Sequence, residues 1–224
     1  MKKFFASLAV LLAMICSQSA FAAIVTPMAE GEFQEYINKV GFKILNKNEI
    51  EKHVIFKYSD SEDLHGSCSD DMVVYVPKGI IMNVETEDEL AAIIAFQTAY
   101  CLKNGEGRNA QVLAKLSPKK YEELADKRAV DLLVKADYSP LASIIIINKS
   151  FGEVKNDRFH QKTSVRLANI YEYIVRKYPE KLNNPKFSMN IYFQNFLLTS
   201  RKNREILQER LLNAPDSTEK LEYN

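Results

Sequence analysis

The sequence predicts an α+β fold that is predominantly helical, and three observations predict it. Long segments place apolar residues three and four positions apart, the spacing of one helix face. Only 7 of the 224 residues are glycine and none is tryptophan, a composition that suits long helices better than turn-rich sheets. The β-rich stretches are few and short, and they fall in the first half of the chain.

In chain order, Glu32 to Ile44 puts Phe33, Tyr36, Ile37, Val40 and Ile44 on one face of a first helix. Val54 to Tyr58 alternates as a strand does, Ser59 to Asp71 is a polar loop, and Met72 to Val76 is a second strand ending in the turn Pro77-Lys78-Gly79. Thr86 caps a central helix over Glu87 to Leu102, with Glu89 three residues on to complete a capping box. Asn104-Gly105-Glu106-Gly107 stops it. Ser117-Pro118 starts the next helix, with proline in the first turn where its missing N–H costs nothing, and that helix runs to about Ala136. Tyr138-Ser139-Pro140 opens another, Leu141 to Ile147 forming a short core segment. Thr163 to Lys177 is a further helix. Asn183-Asn184-Pro185 separates it from a last long one, Phe187 to Leu212, and the end, Ala214 to Asn224, is expected to fray.

Compartment follows from the N-terminus. Lys2 and Lys3 precede an apolar run, Phe4 to Ile15, too short to span a bilayer. Ala20-Phe21-Ala22 before Ala23 fits the small-x-small site of a cleavable signal peptide, so residues 1–22 are expected to be removed after Ala22 and the protein to be periplasmic or secreted. Met14-Ile15 before Cys16 lacks the small residues of a lipoprotein site. Loss of Lys2 and Lys3 shifts the formal charge from +1 to −1. Such neutrality gives no electrostatic reason for nucleic acid or anionic lipid as a partner, and no later run is apolar enough to span a membrane. The two cysteines left, Cys68 and Cys101, suit a disulfide in an oxidising compartment or two buried thiols, since pairing depends on geometry.

Val74 to Ile81, Glu87 to Ala95, Leu124 to Val130, Lys135 to Pro140 and Phe159 to Gln161 are five ordered blocks that together resemble the HtpX-like zinc metallopeptidases, family forty-eight of the metallopeptidases, from about Glu32 to Lys177. The family's helix carries E-D-E-L-A-A-V-L-A-H-E-I-A-H, and here Glu87-Asp88-Glu89-Leu90-Ala91-Ala92-Ile93-Ile94-Ala95 is similar to its first half, with Ala99 continuing it. Before it, Val74-Tyr75-Val76-Pro77-Lys78-Gly79-Ile80-Ile81 resembles the family's I-Y-V-x-x-G-L-L strand and turn. After it, Leu124-Ala125-Asp126-Lys127-Arg128-Ala129-Val130 resembles E-A-D-x-x-A-V, and Lys135-Ala136-Asp137-Tyr138-Ser139-Pro140 resembles K-A-G-Y-D-P. Phe159-His160-Gln161, with Arg166 following, is similar to the T-H-P loop and the helix after it. The resemblance implies a zincin-like fold with a small sheet packed on the active-site helix, a metallopeptidase-like domain over residues 23–180, and a C-terminal helical extension and tail over 181–224.

The same resemblance implies that the chemistry is gone. A helix aims positions i and i+4 the same way, so H-E-x-x-H directs two imidazoles at one zinc while the glutamate activates the bound water. At these positions stand Phe96, Gln97 and Tyr100, and Leu124 replaces the third ligand. Phenyl and isobutyl groups have no lone pair, an amide cannot take a proton, and a phenol with a pKa of ~10 is a poor ligand at neutral pH. Glu123 sits one residue early, turned by about 100°. Phe96, Tyr100 and Leu124 are expected to form an apolar plug where the metal would be, with no zinc bound.

Other candidates are weaker. His53 reads as a surface residue. His65, with Asp63, Asp70 and Asp71 nearby, gives a faint metal signal against the plainer reading of a solvated loop. His160, Arg166 and Tyr75 are the positions that the resemblance places around a residual cleft. A Cys101–His160 pair would be a metal-free nucleophile, but position 101 is rotated off the face bearing 96, 97 and 100. The last helix, with Phe193, Phe196 and Leu197, either packs on the core or presents a partner surface. The expected function is that of an inactive relative that holds envelope polypeptides, partners an active peptidase or serves as an adaptor, with Met72 to Val76 as a retained peptide-binding edge. The alternatives are a metalloendopeptidase or other hydrolase with a rebuilt site, and a structural domain whose partner has nothing to do with proteolysis.

Overall fold

The computed structural model describes residues 30–104, 112, 114–152 and 160–213. The expected leader with its site at Ala22, the glycine-rich stop at 105–107, Phe159 and the tail from Ala214 lie outside the described residues.

A helix buried on every side organises the chain. This is α3 (Glu87–Asn104), preceded by α1 (Glu30–Lys47), β1 (Ile55–Ser59), β2 (Ser67–Cys68), β3 (Val73–Pro77) and a single-turn α2 (Lys78–Ile81). It is followed by α4 (Pro118–Lys135), α5 (Leu141–Ser150), α6 (Thr163–Lys177), a 3-10 turn at Pro179–Asn183, and α7 (Pro185–Ser188), α8 (Ile191–Thr199) and α9 (Arg201–Asn213). Leu90 to Ala95 are all buried, so α3 has no solvated stripe in its first half, and helices hydrophobic all round sit at the centre of a core. α1, α4, α5 and β3 pack around it. One arm of the expected capping box is there, Thr86 Oγ1 accepting from Glu89 N (3.2 Å), while Glu89 Oε2 accepts from Glu85 N (2.9 Å), one residue before the cap. Lys149 of α5 closes over that turn, 3.2 Å from Glu89 Oε2 and 2.9 Å from Glu85 Oε1.

The sheet has three strands in the order β1-β3-β2, β1 parallel and β2 antiparallel to β3. This corrects the edge expectation. β3 is the middle strand, buried at Val73, Val74, Val76 and Pro77, and among the described residues the edges are β1, where Gln34 engages Phe56 O and Tyr58 N, and β2, a two-residue strand inside what reads from sequence as a polar loop. Two residues are too few for an alternating pattern to show.

The C-terminal region also differs from the expectation of one long helix. Asn190 caps α8 through its side chain, which accepts from Tyr192 N (2.9 Å) and Phe193 N (3.3 Å), and α9 starts anew beyond Ser200. Asn and Ser satisfy orphan backbone donors better at helix ends than within helices. α8 packs on α5, and Phe187, Phe193 and Phe196 join the main core. Among the described residues no helix is long and apolar enough to cross a membrane.

Candidate functional site

Helical spacing places Phe96, Gln97 and Tyr100 on one face of α3, and all three line the same cavity of about 380 Å³. The opposite wall comes from α4, where Glu122, Asp126 and Ala129 recur at helical spacing. Ile146 and Ile147 of α5, Phe151, and the stretch Leu64 to Cys68 complete it with His160 and Arg166. Such a volume falls in the range of about 300–1,000 Å³ typical of ligand pockets. The site is thus open where a plug was expected.

Leu124 accounts for part of that difference. It is half-buried, does not line the cavity and does not pack against the main core. Two residues along a helix turn a side chain by about 200°, so with Glu122 and Asp126 facing inward, position 124 faces away. Glu123 is turned elsewhere as well, 2.8 Å from Lys127 and 3.5 Å from Lys120. Tyr75 is likewise absent from the wall, though its strand neighbour Ser67 belongs to it. Phe96 and Tyr100 do come together, with ring centroids 6.1 Å apart, and Tyr121 packs edge-on against Tyr100 at 4.7 Å.

The polar end of the cavity is a charge network that only Asp126 and Arg166 hint at in the sequence. Arg166 Nε and Nη2 donate to the two carboxylate oxygens of Asp126 at 2.9 and 2.8 Å, a bidentate pair. The guanidinium also stacks on the Phe96 ring at 4.5 Å. Glu122 Oε2 accepts from Gln161 N (3.0 Å) and Nε2 (3.4 Å), and its Oε1 faces His160 Nδ1 at 3.3 Å and Arg166 Nη1 at 3.5 Å. Burial pushes the Asp126 carboxyl up to about 6 against the pull of Arg166. Burial, then the charge on Glu122, raise the Tyr100 phenol, which stays protonated at neutral pH.

His65 is an exposed loop residue, as the plainer reading had it, and it also lines the cavity, stacking on His160 at 5.3 Å and meeting Phe151 at 4.9 Å. Burial, then the neighbouring His160 and Arg166, lower its pKa. His53 is exposed. Cys68 and Cys101 form a disulfide that ties β2 to α3, which rules out Cys101 as a thiolate nucleophile.

Two polar groups of the wall have no hydrogen-bond partner among the described residues. Gln97 is 7 % exposed and its amide makes no hydrogen bond. Ser143 Oγ, on α5, is equally bare. An unsatisfied buried polar atom such as Ser143 Oγ costs ~1–3 kcal/mol; the Gln97 amide is not sealed in this way, and both belong to the cavity wall as candidates for ligand contact. The main chain at Gly66 lies directly over Gln97. A Cβ there would come within 2.7 Å of Gln97 Nε2 and 2.8 Å of the Tyr75 carbonyl, so only glycine permits the approach.

Zinc takes imidazole, thiolate or carboxylate donors. The α3 wall offers a phenyl ring, an amide and a protonated phenol, and the α4 carboxylates are bonded to Arg166, Gln161 and His160. Among the described residues no group of three or more His, Cys, Asp or Glu side chains is arranged to hold a metal ion. Phe96, Gln97 and Tyr100 thus supply no good zinc donor at the positions where the resemblance puts the family's ligands and base. No family model matches the chain, and no curated protein matches it in sequence.

Proposed function

We propose that the chain is a catalytically inactive relative of the HtpX-like peptidases, zincin-like in fold, that works by binding polypeptides. Envelope proteins, or an active peptidase whose clients it holds, are the partners this reading favours. One observation carries it. Phe96, Gln97 and Tyr100, which stand at the positions of the family's zinc-binding and water-activating residues, line a cavity that is open and flanked by the edge strand β2. A retained hollow with unreactive walls suits holding better than cutting. The disulfide supports a periplasmic or extracellular location after cleavage following Ala22, because such bonds persist in oxidising compartments.

The test is a binding titration of the purified protein with a permanently unfolded, carboxymethylated polypeptide, run beside a casein-cleavage assay and a measurement of bound metal. Saturable binding with neither cleavage nor stoichiometric zinc is the expected result. Chelator-sensitive cleavage would instead establish the second reading, a hydrolase with a rebuilt site, whose support is the His160–Glu122 pair at the cavity mouth.

A further inference from the structure

We propose that the cavity receives one uncharged, apolar residue of the bound polypeptide, and that Gln97 pairs with the main-chain amide of that segment. This rests on the polypeptide-binding reading above and narrows it to a class of residue.

The first support is that the charges in the wall already have partners. Asp126 and Arg166 satisfy each other at two oxygens, and Glu122 is engaged by Gln161, His160 and Arg166. Among the described residues of the wall, a charged group entering would meet no counter-ion that is not already engaged, and would lose its hydration without compensation. The remaining wall is apolar, with Ile80, Ile93, Phe96, Ile146 and Ile147 prominent, which suits an aliphatic or aromatic side chain.

The second support is Gln97 itself. Its carboxamide lies in the wall, 7 % exposed and without a hydrogen-bond partner among the described residues. A primary amide offers an acceptor and two donors, and a peptide group offers one of each. The two are complementary in a way that a carboxylate at this position would not be. Ser143 adds a second unpartnered polar atom on α5. The third support is placement: β2 is paired on one side only, and Gly66 brings its main chain against Gln97. An extended segment beside β2 therefore passes over Gln97 and the cavity together.

The experiment is isothermal titration of the purified protein with blocked, unstructured octapeptides that differ only at a central guest position: leucine, phenylalanine, lysine or aspartate. A fourth-position control carries leucine with its amide nitrogen methylated. The leucine and phenylalanine guests are expected to bind at least ten-fold tighter than the charged ones. N-methylation should weaken the leucine guest about five-fold or more in the wild type and have little effect in Gln97→Ala, since the lost bond is already missing there. Binding of every peptide with no preference at the guest position would overturn the cavity assignment, and equal binding of methylated and unmethylated leucine would overturn the Gln97 pairing; either result leaves polypeptide binding intact. Failure of all peptides, and of the unfolded polypeptide, would overturn the broader reading. The methylation arm needs no variant, so it decides the matter even if Gln97→Ala does not fold.

Discussion

Of the carboxylates by which helix α4 reaches across to α6, Asp126 and Asp131, five residues apart, behave very differently. Asp131 meets Tyr173, Lys177 and Tyr178 at 2.8 to 3.0 Å in a cluster open to water, with the Lys177 and Asp131 side chains 46 % and 30 % exposed. Asp126 meets Arg166 in the dry interior beside the cavity. The outer cluster is ordinary surface chemistry, worth little on balance because water competes for every group. The inner pair is costly to desolvate, and an apolar replacement would often serve stability as well or better. A pair of that kind bordering the cavity is the arrangement on which the proposed function rests.

The strongest way to break this contrast is Arg166→Met, which strands a buried carboxylate. A loss of ~3–5 kcal/mol is expected, read as a lower denaturant midpoint with an unchanged slope. The double variant Asp126→Leu with Arg166→Met should recover most or all of that stability, and a double variant as weak as the single would show the pair to be a structural necessity. Replacing both cysteines by alanine, Cys68→Ala with Cys101→Ala, frees β2 from α3 on the cavity side. It should cost ~2–4 kcal/mol in the same assay.

The pH dependence sharpens the comparison further. Asp126 has a folded pKa raised to about 6, above its unfolded value of ~3.9, so the folded state binds its proton more tightly. The contribution is fully present below the unfolded value and is lost as pH rises through about 6. Thermal midpoints of wild type minus Asp126→Asn should therefore fall between pH 4 and pH 7, and a flat difference would place Asp126 in a wetter setting. The smallest effect is expected at the outer cluster: Asp131→Asn should change stability by ~0.2–1 kcal/mol, less in high salt.

Much of the scaffold is legible in the sequence for local reasons. Thr86 with Glu89, and Pro118 after Ser117, carry their own start signals, and α3, α4 and α6 begin where periodicity and caps place them. What was not legible depends on pairing or rotation. β2 exists because Ser67 and Cys68 lie against Tyr75 and Val74, a contact that no pattern in a two-residue strand could announce. Motif matching singled out Leu124, yet the buried face of α4 runs through 122, 126 and 129. The recurrence of Glu122 and Asp126 four apart, with Arg166 on a later helix, is the signal that could have found the inner network. The vacancy of the site was hidden for the same reason: Phe96 and Tyr100 read as core residues, and whether a core closes depends on what stands opposite.

The Cys68–Cys101 bond makes one flank of the hollow a fixed jaw. His65, three residues before Cys68, is carried by that flank, and its ring meets Phe151 and His160 of the rest of the wall. On the proposed reading a guest enters past these three rings, and its rate of binding should respond to their substitution.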